Sequence, residues 1–517
     1  MTIPILPLAS PLLVFAASLL FLAAPGRRPW ILPRVAETAA LAALGFAAAG
    51  VIQLLASGPS SIMIANGLIG FRLGAISATM TLLVAFVGWV VVRYARFYLD
   101  GEAREGAFHG WMLAALGSVL VLVQAATLPV LIVAFLAVGL AMRQLLLFYA
   151  ARAEAKRAAA KFSLVWGLGD ATLIAATILL AFAFGTTDIA ALNAAAADGL
   201  PLAAQFAVAL LVITAAFKTA SFPLHGWLTE VMEAPTPVSA LLHAGIINSG
   251  GVLLIVTASL VEASTVATAI LVILGGLTAL FGGVVMLTQS VVKTALAWST
   301  VAQMGFMLLQ CGLGLWSLAL LHIVAHSLYK AHAFLASGGA VEAVAQSRKP
   351  GPIAVPNFGA VLRSFALALV LYAAVASVFW LVVGPKSAQA LALGAILIFG
   401  VAYLVAQGLA ETAPRALTVR TVRASVAAAV AYFTFQTIAE LLWGPSLPAA
   451  PVPDPLEWAL ITLAVISFGL VAVAQALFPL WAHHPATAGL RVHIANGLYL
   501  NALLDRALGG IKAPQPK

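Results

Sequence analysis

Apolar runs of bilayer length recur from residue 5 to residue 480 and leave no polar stretch long enough to fold by itself. A hydrocarbon core of about 30 Å takes about 20 helical residues to cross, because in lipid every backbone N–H and C=O must be satisfied internally. Runs bounded by polar, Pro or Gly breaks give about fifteen spans, over 5–24, 35–56, 73–92, 110–126, 129–149, 165–184, 204–221, 239–261, 266–287, 293–312, 315–337, 358–383, 387–408, 420–442 and 457–480. Of the 517 residues 63% are hydrophobic and 8% charged, against roughly a quarter charged in soluble domains. The expectation is an all-α polytopic membrane protein whose work is transport or energy coupling. The lone Cys311 excludes a disulfide framework, and an iron–sulfur cluster or Cys-based zinc site built from this chain alone. No Lys or Arg precedes Arg27, so the first 24 residues read as a retained span rather than a cleaved leader.

The basic residues test this count. With the N-terminus outside, the cytoplasmic connections and tail hold Arg27, Arg28, Arg34; Arg93, Arg96, Arg104; Arg152, Lys156, Arg157, Lys161; Arg348, Lys349; Arg415, Arg420, Arg423; and Arg491, Arg506, Lys512, Lys517. Only Arg72 and Lys386 fall on external connections. This is the positive-inside pattern, and it accounts for the net charge of +9 through topology and lipid headgroups, without nucleic acid. Residues 443–457 form a Pro-rich external loop, and 481–517 read as a cytoplasmic amphipathic tail broken near Asn496-Gly497 that lies on the membrane or docks a partner.

Ionisable groups within hydrocarbon cost several kcal/mol and point to function. On the seventh span Thr214, Lys218, Ser221 and His225 share one helical face, and Pro223 breaks the helix beside the lysine. Pro235 and Pro237 punctuate the chain beyond it. On the eleventh, His322, His326 and Lys330 form an i, i+4, i+8 ladder about 12 Å long. Histidine exchanges protons near neutral pH, and a desolvated lysine can do the same. The tenth adds Gln289, Lys293, Thr300 and Gln303, the eighth His243, Asn248 and Ser249. Asp170, near the start of the sixth, is the carboxylate best placed to meet these amines. Bland readings compete: His243 as a helix-to-helix hydrogen bonder, Lys293 snorkelling to the surface, and His322 with His326 as metal or haem ligands.

Three stretches carry a resemblance: "FKTASFPLHGWLTEVMEAPTPVSALLHAGIINSGGVLLI" from 217, "VVKTALAWSTVAQMGFMLLQCGLG" from 291 and "LLHIVAHSLYKAHAFLASGGAV" from 320. The chain, over about 70–345, resembles the antiporter-like proton-translocating subunits of respiratory complex I, multi-subunit sodium/proton antiporters and membrane hydrogenases. The resemblance implies two inverted five-helix repeats with a broken seventh helix. The corresponding division is N-terminal helices over 1–109, repeats over 110–261 and 262–410, C-terminal helices over 411–480 and the tail. By motif match Lys218 takes the place of the family's pivotal lysine, His243 that of the basic group on the eighth helix, and Lys293, His326 and Lys330 those of the central relay. His322 extends that relay by its ladder spacing, and Asp170 falls on an aspartate of the sixth helix.

The chain departs from the family at Leu136, where the fifth helix normally carries a glutamate that pairs with the pivotal lysine. Asp170 becomes the candidate charge partner. After 345 the complex I match fades and no lysine marks a second broken helix. "ARFYLDGEAREGAFHGWM" from 95, the run from Arg143 to Leu192 and "GLRVHIANGLYLNALLDR" from 489 resemble the branch that serves as membrane subunit of the bacterial dissolved-inorganic-carbon accumulation complex. That resemblance implies an inner-membrane subunit passing H+ or Na+ down its gradient, with no cofactor of its own. It also implies a large cytoplasmic partner resembling a zinc β-carbonic anhydrase, in which hydration of CO2 to bicarbonate is made one-way. The alternative is a proton-pumping subunit of a complex I-like, hydrogenase or multi-subunit antiporter complex.

Overall fold

The computed structural model describes residues 5–27, 31–339, 358–408, 415–477, 481 and 484–507. Arg28, Arg348, Lys349, Lys512 and Lys517, the 410/411 division and residues 478–480 of the last expected span lie outside the described residues. The chain is helical nearly throughout. Helices α1 (Ile5–Ala23), α2 (Leu32–Ser57), α3 (Ala75–Tyr98), α4 (Glu105–Gln124), α5 (Leu128–Leu146) and α6 (Ala153–Phe184) come first. They are followed by α7 (Ile189–Ala195), α8 (Leu202–Lys218), α9 (Gly226–Glu230), α10 (Thr236–Ala244), α11 (Ser249–Val256), α12 (Ala258–Glu262), α13 (Thr265–Met286), α14 (Val292–Gly312) and α15 (Trp316–Leu335). The C-terminal part has α16 (Phe358–Val383), α17 (Ala388–Gly408), α18 (Arg415–Trp443), α19 (Pro455–Ala476), α20 (Ala488–Ala495) and α21 (Leu500–Ala507).

Among the described residues twelve helical segments are long and apolar enough to cross a membrane, fewer than the fifteen expected. The other three runs are helical as well. Helix α8 stops after 17 residues at Lys218, whereas α17 over Ala388–Gly408 has 21 residues. Helix α14 has the length, but Lys293, Thr300, Gln303 and Gln310 lower its apolar character. Two stretches differ from expectation in kind. Residues 153–164, read as connection, are the first three turns of a continuous 32-residue α6. Residues 60–73 form a hairpin of β1 (Ser60–Ile64) and β2 (Ile69–Leu73), paired Ser60 with Leu73 and turning at Asn66-Gly67, where positive φ is cheap.

Large apolar side chains such as Leu55, Phe182 and Leu381 stand exposed on the outer faces, as a lipid-facing surface requires. The interior is built by small residues. A Cβ on Gly275 of α13 would lie 2.4 Å from Leu309 N, and one on Gly305 of α14 2.4 Å from Ala279 N. The two backbones are therefore in direct contact, a packing that membrane helices reach only through residues without bulk. Helices α10 and α11 are buried end to end, packed against α15, α8 and α14. A second core around Phe365, Tyr372, Phe399 and Phe433 holds α16, α17, α18 and α19, and Trp443 Nε1 ties α18 back by donating to Thr79 Oγ1 at 3.0 Å.

Candidate functional site

The seventh apolar run ends as a helix at Lys218. Ala220 then takes φ +50°, Phe222-Pro223 is a cis peptide, and helical structure resumes only at Gly226. Pro235 precedes α10 and Pro237 sits in its first turn, where a missing N–H costs no helical bond. Inside the break Phe222 N donates to Thr278 Oγ1 at 3.1 Å, so the interruption is satisfied by a neighbouring helix.

Lys218 is fully buried. Its Nζ lies 2.5 Å from Asp170 Oδ1 and donates to Trp166 O at 2.9 Å, both supplied by α6. The amine also stands 3.9 Å from the centroid of Trp166 and 4.9 Å from that of Phe135. A buried ammonium persists when a carboxylate, a carbonyl and aromatic faces replace its water, and this site offers all three. The position on α5 that faces the amine is Phe135. Leu136 is 47% exposed on the outer side of α5, so the expectation that residue 136 is the slot beside Lys218 is corrected.

A second group of polar side chains converges from α10, α14 and α15. Lys330 Nζ, buried, donates to Ser299 Oγ at 2.8 Å and Leu296 O at 3.0 Å. His326 Nε2 lies 3.2 Å from the carbonyl of His243, which belongs to the last turn of α10 and is left free by the break at Gly245. His243 Nδ1 is 2.9 Å from Thr300 Oγ1, its ring lies over Phe334 at 4.4 Å, and its Nε2 is buried without a partner among the described residues. Asn248 Nδ2 donates to Ser327 Oγ at 2.9 Å. His322 continues the line, its ring 6.0 Å from that of His326 and its Nδ1 3.0 Å from Gln310 Oε1. A cleft of about 540 Å³ between α14, α15, α17 and α18 reaches His322 and His326. Lys293 stands apart: it is part-exposed in the first turn of α14 and makes no hydrogen bond or ion pair among the described residues. His225 is buried in a ring cage, its centroid 4.8 Å from Trp298 and 5.5 Å from Phe281.

One charged group was misread in the sequence. Lys161, expected as a connection charge, is 1% exposed on α6, 2.7 Å from Glu230 Oε1 and 2.5 Å from Asp505 Oδ1. Arg157 joins the same carboxylates at 3.3 Å and 2.6 Å, and Asn501 donates to Glu230 Oε1 at 2.7 Å. The i, i+4 spacing of Arg157 and Lys161 was readable as one helical face once α6 was extended back to Ala153. Their partner Asp505, 348 positions from Arg157, had no local signal.

The family model described as NADH:quinone oxidoreductase/Mrp antiporter, TM, matches residues 125–352, and that of the NADH-ubiquinone oxidoreductase (complex I) chain 5 N-terminus matches 66–109. A protein of Halothiobacillus neapolitanus named "Probable inorganic carbon transporter subunit DabB2" is 36% identical over 90% of this chain and 86% of its own length. The chain belongs to the antiporter-like membrane-subunit family. Within that family a DabB protein of Hydrogenovibrio crunogenus is 45% identical over 53% of each chain. The antiporter-like fold is shared with a chain of the Mrp complex from Dietzia sp. DQ12-45-1b, at TM-score 0.64 and 22% identity, covering 98% of this chain and 59% of that one. This antiporter-like subunit accordingly has its buried lysine–aspartate pair and its polar axis inside the region matched by the family model.

Proposed function

We propose that this antiporter-like subunit conducts H+ or Na+ through a bacterial inner membrane, with its N-terminus outside and its C-terminus in the cytoplasm. In this reading it couples the cation gradient to inorganic carbon accumulation by a cytoplasmic partner resembling a zinc β-carbonic anhydrase. The observation that carries the conducting part is the Lys218–Asp170 pair, buried at a helix break that lies between packed helices. A charge pair in that position costs several kcal/mol in desolvation and is retained for exchange rather than for stability. The row of His243, His326 and His322, with the His326 ring bonded to the His243 carbonyl, the His322 ring 6.0 Å from that of His326 and Lys330 beside them, supplies titratable groups across the interior.

The carbon part rests on the DabB relatives, which are named probable inorganic carbon transporter subunits. Hydration of CO2 yields bicarbonate and a proton, and coupling that step to a cation that moves down its gradient through this chain supplies the free energy that makes it one-way. This chain holds no cofactor in the proposal; the zinc belongs to the partner. Growth of a carbonic-anhydrase-deficient host in air tests it. Co-expression of this chain with its partner rescues growth, and rescue is lost with a protonophore or with Lys218→Ala. Undiminished rescue by the Lys218→Ala form refutes the role of the pair, and purification with quinone-reductase or hydrogenase subunits selects the pumping alternative.

A further inference from the structure

The tail beyond residue 484 folds back onto its own chain and completes a charge group that none of the relay residues touches. Gly226, the first residue of α9 after the break, has no side chain where Asn501 lies: a Cβ there would stand 1.9 Å from Asn501 Oδ1. Gln289 Nε2 donates to Ala495 O at 3.1 Å, and Gly497 lies against the ring of Trp298. The tail thus covers one end of the segment that runs from Lys218 through the break to Glu230. At that end Lys161 and Arg157 from α6 meet Glu230 from α9, leaving one positive charge in excess until Asp505 arrives. Arg157 is 40% exposed, but Lys161 is 1% exposed and the two carboxylates 15–18%, so it is the charge of Lys161 that water screens poorly.

We infer that Asp505 is a counter-charge delivered by the tail to the cation path, a positioning residue that makes the approach to the Lys218–Asp170 pair electrically neutral. The inference rests on the cation-conducting reading. Helix α6 carries both sites: Lys161 lies nine residues before Asp170, about 13 Å along the axis at 1.5 Å per residue. One uncompensated positive charge at that distance, at an effective permittivity of about 20, lowers cation occupancy beside Lys218 by about tenfold. With the tail docked the excess vanishes and the penalty with it. The same arithmetic makes charge, not contact, the quantity that matters, and this separates the role from simple anchoring.

The test uses the full chain with its partner, reconstituted in liposomes, with cation flux driven by an imposed gradient and normalised to inserted protein. Asp505→Asn, nearly isosteric and uncharged, lowers flux by about tenfold. Asp505→Glu keeps it. Adding Arg157→Gln to Asp505→Asn removes the excess charge again and restores flux to within about twofold of the parent, although one more contact has been lost. Full flux in Asp505→Asn, or failure of the double variant to recover while it inserts normally, overturns the inference. Lys218→Ala in the same assay separates the two readings. If it conducts normally the ion path itself is misassigned, whereas if it is silent and Asp505→Asn is unaffected, only the role of Asp505 falls.

Discussion

At the residue scale the account turns on how a buried amine is balanced. Lys218 takes its counter-charge from Asp170 on α6, with Trp166 supplying both a carbonyl and a ring face. Asp170→Asn leaves the ammonium buried without a charge partner, and removing one member of such a pair costs about 3–5 kcal/mol. The expected outcome is a protein still inserted, with cation flux lowered by about 100-fold, read in liposomes against inserted amount. Lys293 gives the opposite expectation. It is part-exposed and bonded to none of the axis residues, so Lys293→Gln keeps at least half of the flux, whereas Lys330→Gln, whose amine is held by Ser299 and Leu296, loses about tenfold or more. Equal losses in the two variants would show that Lys293 belongs to the path. The sequence already marks Asp170, near the start of the sixth span, as the carboxylate best placed to meet these amines. It could not reveal that Phe135 rather than Leu136 faces Lys218, because that depends on the rotation of α5 about its own axis, which tertiary packing sets.

At the scale of elements, breaks do the positioning. Helix α8 ends at the buried Lys218, and α10 ends at Gly245 so that the carbonyl of His243 is free to meet His326. Both interruptions lie where proline and glycine punctuate the apolar runs, and the first was legible from Pro223 alone. The second was not, since Gly245 sits in an apolar run whose periodicity continues across it. Helix α6 reads too short from sequence for a related reason: Arg152, Lys156, Arg157 and Lys161 look like connection, yet the four-residue spacings of Arg152 with Lys156 and of Arg157 with Lys161 also fit helical turns. The contact of α13 with α14 carries a separate prediction. Gly305→Leu forces a side chain into the backbone of α13 at Ala279, and overpacking of this kind costs about 1–3 kcal/mol or more. Less inserted protein and a lower midpoint in thermal unfolding in detergent are expected, while Gly283→Ala, with open space around it, changes neither.

At the scale of the whole molecule, composition alone indicated a polytopic helical membrane protein, because nothing else tolerates so few charges over 517 residues. The count of crossing helices was less legible. Helix α8 is shortened by a break and α14 carries polar groups, so neither has both the length and the apolar character of an ordinary span. The folded-back tail was legible only as an amphipathic segment with a break at Asn496-Gly497, and its attachment through Asp505 to Arg157 and Lys161 required the fold. What unites these levels is a single claim, that a cation crosses this chain by way of Lys218. Cation flux through the reconstituted complex, measured at matched protein for the parent and Lys218→Ala, tests it most directly. The account predicts that the variant falls to the rate of empty liposomes; a variant that conducts at the parent's rate would contradict it.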